Sequence, residues 1–97
     1  MIYKPTIEDQ FKIFHLMNPW VYDLLVNQAR YLRFRGHQRV GIGMLFEVLR
    51  WKQMMTTDDP HSEFKLNNNY RSHYARLIMA NEPDLVGIFE LRELRTK

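Results

Sequence analysis

A mostly helical single domain with a small β element is the fold class this sequence predicts. Three observations predict it. Four segments place apolar residues at helical spacing, with short connections between them. Residue types that start and stop helices stand at their ends: Thr6, Asn18 with Pro19, Gly36, and the run Asn67, Asn68, Asn69. One late stretch, residues 85–92, alternates as a strand does. The expectation is about four helices and a short two- or three-stranded sheet. A chain of 97 residues, 45% apolar and 13% aromatic, has room for one packed core. The whole of it reads as one domain, with 1–18 a helical extension and 19–92 the core.

The first helix is expected over residues 6–17. Thr6 suits the cap, Asp9 suits the acidic position three residues on, and Ile7, Phe11 and Phe14 share a face. The second is expected over 19–35, with Asn18 as cap, Pro19 as first residue and Gly36 as left-handed stop. Its apolar face holds Trp20, Val21, Leu24, Leu25, Tyr31 and Leu32. Of the two rings near its end, Tyr31 is expected to pack inward, while Phe34 fits either side.

The third helix is expected over 42–55, after a short strand at Gln38, Arg39 and Val40. It is apolar on two sides. Ile42, Leu45, Phe46 and Leu49 form one stripe, and Met44, Val48, Trp51 and Met55 form the other. Such a helix is sandwiched in its fold or meets a partner. The loop at 56–63 is acidic and broken by Pro60. Phe64, Lys65 and Leu66 suit a short strand. The fourth helix is expected over 69–80, capped from Asn67, Asn68 and Asn69 and stopped by Asn81 and Pro83. The strand at 85–92 would pair with residues 64–66 or with the Arg39 region.

The functional expectation comes from the fourth helix. At 100° per residue, Tyr70, Tyr74, Leu77 and Ile78 make its core side. The opposite side shows Asn68, Asn69, Ser72, His73 and Arg76, with Arg71 on the flank and no acid. Two readings fit this: a solvated polar face, or a face that enters a major groove. Arg pairs with guanine O6 and N7, Asn with adenine N6 and N7, and Ser reads either. The helix start also points amide donors at phosphate.

A second basic group strengthens the groove reading. Arg30, Arg33, Arg35 and Arg39, with His37, put four arginines within ten residues and no acid among them. They suit phosphate contact, or simply the dipole of a helix end. Lys65 is an additional cation just ahead of the fourth helix. Arg92, Arg95 and Lys97 are interrupted by Glu93 and read as a tail. The formal charge of +3 leans the same way, toward anionic partners.

The order helix, short strand, helix, helix, strand over residues 19–92 resembles a winged helix-turn-helix. That resemblance implies that the helix from Asn69 is the recognition helix and that residues 42–55 support it. It also implies a β-hairpin wing against the DNA backbone or minor groove. The connection over 56–67 is longer than the roughly three- to four-residue turn of a tight helix-turn-helix. The residues of 46–51, 64–72 and 74–76 are also similar to short uncharacterised proteins of phage and prophage type, which bring no agreed activity with them.

Other chemistry finds little footing. With no cysteine, disulfides and thiolate metal sites are excluded. His15, His37, His61 and His73 form no helical pair at metal-binding spacing. His61 lies near Asp58 and Asp59 in what reads as a solvated loop, and His15 reads as a packing residue. Gly41 and Gly43 lack the third glycine of a dinucleotide loop, and Ser62 and Ser72 lack a nucleophile-elbow context. Glu90 and Glu93 lack the lysine and further carboxylate of a nuclease. Glu47 suits pairing with Arg50. No cofactor, small-molecule substrate, membrane span or secretory leader is implied, and a cytoplasmic setting is the default. The sequence therefore predicts a protein without enzymatic chemistry that binds double-stranded DNA, a small transcriptional or phage-type regulator, possible as a homodimer. The alternative is a protein-interaction module, an inhibitor or adaptor, acting through the Met- and Trp-rich second face of the third helix.

Overall fold

The chain's first helix begins at a reciprocal cap. The Thr6 hydroxyl accepts from the Asp9 amide at 3.1 Å, and the Asp9 carboxylate accepts from the Thr6 amide at 3.2 Å. The structure, a computed structural model, describes residues 4–56 and 65–90. In it α1 spans Ile7–Met17, α2 Pro19–Phe34, α3 Ile42–Thr56 and α4 Arg71–Asn81. Short 3-10 turns at Asn68–Tyr70 and Pro83–Leu85 flank α4. Four helices are thus as the periodicity predicts. The acidic loop with Asp58, Asp59 and His61 lies outside the described residues, as do Phe64, Arg92, Glu93, Arg95 and Lys97.

Local chemistry accounts for most boundaries. Asn18 works on the side opposite to the one expected. Its amide and side chain both donate to the Phe14 carbonyl, at 2.9 and 3.1 Å, so it closes α1 and makes no side-chain cap for α2. Pro19 alone starts α2, its ring preset for a first helical residue. Gly36, at φ 99°, turns the chain out of α2, and the His37 amide returns to the Leu32 carbonyl at 3.0 Å. Asn67 accepts from the Asn69 amide at 2.9 Å and caps the 3-10 turn that leads into α4.

The helices enclose one core. Val21 and Leu25 of α2, Leu45, Phe46 and Leu49 of α3, and Tyr74 and Ile78 of α4 have lost essentially all contact with water. Each such side chain contributes roughly 1.5–3 kcal/mol by burial. α1 joins through Phe11, whose ring meets Tyr74 edge-on at 4.7 Å. The core side of α4 is as predicted, with Tyr70, Tyr74 and Ile78 buried and Leu77 partly so. Tyr31 corrects the expectation. It points outward and is 60% exposed, because Leu25, Val26 and Ala29 already fill the inner side of α2. Phe34 is exposed as well.

The sheet does not form among the described residues. Where a strand was expected over 85–92, the chain makes a 3-10 turn through Leu85 and a left-handed step at Gly87. It then forms one parallel bridge, Val40 to Phe89, with the Val40 amide donating to the Ile88 carbonyl at 2.9 Å. The reason is burial. Leu85, Ile88 and Phe89 all turn into the core, which a period of two forbids. The strand expected at residues 38–40 shrinks to the same bridge at Val40. Lys65 and Leu66 are irregular, with Leu66 anchored in the core. No wing is therefore present among the described residues.

Two arginines of α2 fasten this final segment. Arg30 is paired with Glu82, and its Nε donates to Asp84 at 2.9 Å. Arg33 donates to the carbonyls of Gln38, at 3.2 Å, and Val86, at 3.0 Å. Tyr22 adds a hydrogen bond from its hydroxyl to Glu82 at 2.8 Å.

Candidate nucleic-acid interface

With Tyr74, Ala75 and Ile78 committed to the core, the opposite side of α4 must face out. Arg71, Ser72 and Arg76 are exposed there, and Asn68 and Asn69 are exposed in the turn before them. This side meets the start of α3 across a cleft of about 810 Å³. Asn68, Asn69, Arg71, Ser72 and Arg76 form one wall, and Arg39, Gly41 and Gly43 form the other. The Val40 bridge fixes the backbone beside Arg39. Residues from two distant stretches of chain are thereby brought together.

The cleft is electropositive. Among the described residues, three arginines line it against the one carboxylate of Glu90. The first turn of α3 adds the positive end of its dipole. Arg71 is held in place, its Nε donating to the Asn68 carbonyl at 3.1 Å. Its guanidinium lies over Gly43, where a Cβ would stand 3.2 Å from Nη1. Arg50 supports the turn from below. It donates to the Leu66 carbonyl at 2.7 Å and to the Asn68 side-chain oxygen, and it pairs with Glu47 as expected. The Asn68 side chain is therefore partly committed to its own fold.

Other predicted site residues go elsewhere. Arg30 and Arg33 hold the segment after α4, as described above. The hydrogen bond from Arg30 keeps the Asp84 carboxyl below its ordinary range. Arg35 and His37 are exposed beyond the end of α2, and Lys65 is exposed before the 3-10 turn; none of the three lines the cleft. His73 leans toward α1. Its ring is 5.2 Å from Phe11, and its Nδ1 is 3.3 Å from the Asn69 carbonyl. The basic run read as one group thus splits, with Arg39 alone reaching the cleft.

Gly43, Arg50 and Glu90 belong to the cleft's construction and were not read as such from the sequence. The pair Gly41 and Gly43 at a helix start was the available signal, since glycine there permits close approach of another chain segment. No group of three or more His, Cys, Asp or Glu side chains among the described residues could hold a metal ion. No helix among them is long and apolar enough to cross a membrane.

A second surface is apolar. The outer stripe of α3, Met44, Val48, Trp51 and Met55, is exposed, as is Tyr31 on α2. Between α2 and α3 runs a groove of about 400 Å³ lined by Leu24, Gln28, Tyr31, Leu32, Met44 and Val48, among others.

No protein-family model matches the chain, and it has no significant match among curated proteins or solved structures.

Proposed function

We propose that the protein binds double-stranded DNA, with the exposed side of α4 toward the major groove and the arginines of the cleft on the phosphates. The observation that carries this is the convergence of Arg39, Arg71 and Arg76 with Asn69 and Ser72 about one cleft. Arginine guanidinium groups match phosphate and guanine geometry in pairs of hydrogen bonds. Asn69, Ser72 and Arg76 supply base-reading chemistry, while Arg39 and Arg71 supply charge. The protein acts by occupying its site, as a small transcriptional or phage-type regulator, and performs no reaction on the DNA.

Fluorescence anisotropy with a random-sequence duplex, at low and at moderate salt, tests the reading. Binding that weakens steeply with salt supports it. Absence of binding at low salt removes it.

A second reading, a protein-interaction module, is favoured by one observation: Met44, Trp51 and Met55 all stand in solvent on the same side of α3.

A further inference from the structure

We propose that the groove between α1 and α4 is a binding site for a small aromatic acid, and that the acid regulates the DNA cleft by claiming Arg76. The binding site stands on its own; the regulation rests on the DNA reading.

The groove has a volume of about 930 Å³, against about 810 Å³ for the DNA cleft, and lies within the range of small-ligand sites. Most of its lining is apolar, from Phe11 and Leu16 of α1, Pro19 of α2 and Leu77 of α4. Phe11 is fixed to the core by its edge-on contact with Tyr74. The His15 ring lies 6.0 Å from it and within 5° of parallel, and the His73 ring lies 5.2 Å from it. Three rings in one lining suit a flat guest, which gains by stacking or by edge-on contact.

Charge selects the rest of the guest. Lys12, His15, His73 and Arg76 bring nitrogen groups to the groove, against one carboxylate among the described residues, that of Glu8. Glu8 is already engaged, with Lys12 Nζ 3.7 Å away on the next turn of α1. Arg76 is exposed and makes no hydrogen bond or ion pair among the described residues. Its planar fork of donors matches a carboxylate. The groove therefore fits a guest with a flat apolar body and one negative charge.

Arg76 also lines the DNA cleft. The helix divides there: Ser72 lies on the cleft side, His73 and Leu77 on the groove side, and Arg76 borders both. A carboxylate in the groove competes with DNA for one guanidinium. By linkage, each ligand weakens the other by the same factor.

Titration of the full chain with naphthoate, followed by amide chemical shifts, tests the site without DNA. Naphthoate is expected to bind with a submillimolar dissociation constant and to shift the amides of Leu16, His73 and Leu77. Naphthamide, which keeps the shape and loses the charge, should bind about tenfold more weakly. Arg76→Gln should bring naphthoate down to the level of the amide, and because Arg76 is exposed that variant keeps its core. Absence of shifts at millimolar naphthoate, shifts centred on the α2–α3 groove instead, or equal affinity for the acid and the amide overturns the site. Fluorescence anisotropy with a random-sequence duplex reads the regulation. Saturating naphthoate should lower the parent's duplex affinity about fivefold or more, and should change that of Arg76→Gln by less than about twofold. Unchanged parent affinity with the groove occupied overturns the regulation alone. A protein that takes naphthoate in the groove and never binds the duplex removes the DNA reading, and the regulation with it, while the site stands.

Discussion

The Arg71 guanidinium lies so close over Gly43 that a methyl group added there would stand 3.2 Å from Nη1. Gly43 is helical, with nothing left-handed in its backbone, so its lack of a side chain serves this approach. Gly43→Ala separates two effects. Helix propensity should raise stability by roughly 0.5–1 kcal/mol. The displaced Arg71 should lower duplex affinity several-fold. Urea denaturation and anisotropy on the same variant check both, and unchanged affinity would place Arg71 outside the binding surface.

Arg30 is expected to matter for stability and not for DNA. Its partners Glu82 and Asp84 hold it at the end of α4. Arg30→Ala should leave duplex affinity within about twofold of the parent. The acid limb of stability should change too. Hydrogen bonding to Arg30 lowers the Asp84 pKa from its ordinary 3.8 in the folded state. The contribution is therefore present above that ordinary value and lost as pH falls through the lowered one. Denaturation midpoints measured from about pH 5 down to about pH 2 should decline less steeply in Arg30→Ala than in the parent.

Tyr74 gives the opposite limb. Its hydroxyl is buried without a hydrogen-bond partner among the described residues, and burial, followed by the neighbouring Tyr70, raises its pKa well above the ordinary 10. A raised acid keeps its contribution below the unfolded value and loses it as pH climbs toward the folded one. Above about pH 10 stability should fall, at about 1.4 kcal/mol per pH unit for this group. Tyr74→Phe removes both the orphaned hydroxyl and the titration. It should gain about 1 kcal/mol near neutral pH and flatten the alkaline decline. A loss of stability near neutrality would mean that the hydroxyl has a partner.

Arg76 should govern selectivity. Arg76→Ala is expected to cost about 1–3 kcal/mol at one base-pair position and to relax preference there. Competition among duplexes that differ at single positions reads this out. Equal losses on every duplex would make Arg76 a phosphate contact instead.

The helices were legible because their signals are local. The Thr6 and Asp9 cap, Pro19, Gly36 and the 3.6-residue spacing act within one or two turns, so α1 to α4 begin and end within two residues of expectation. The strand at 85–92 was misread because Leu85, Ile88 and Phe89 turn inward together, a tertiary outcome that overrides alternation. Arg30, Arg33 and Arg39 look equivalent in sequence. What separates them is more than fifty residues away: Glu82, Asp84 and the Val86 carbonyl engage the first two. Half of the site, the exposed side of α4, follows from periodicity. The wall made by Arg39, Gly41 and Gly43 depends on the Val40–Phe89 bridge and could not be read locally.

The salt dependence of duplex binding by Arg39→Ala, set beside that of Arg30→Ala, tests the central claim most directly. Each phosphate contact contributes about 0.9 to the slope of log affinity against log salt. Arg39→Ala should lower the slope by about one unit and Arg30→Ala should leave it unchanged. Equal slopes for the parent and Arg39→Ala would contradict the claim that DNA lies in the cleft.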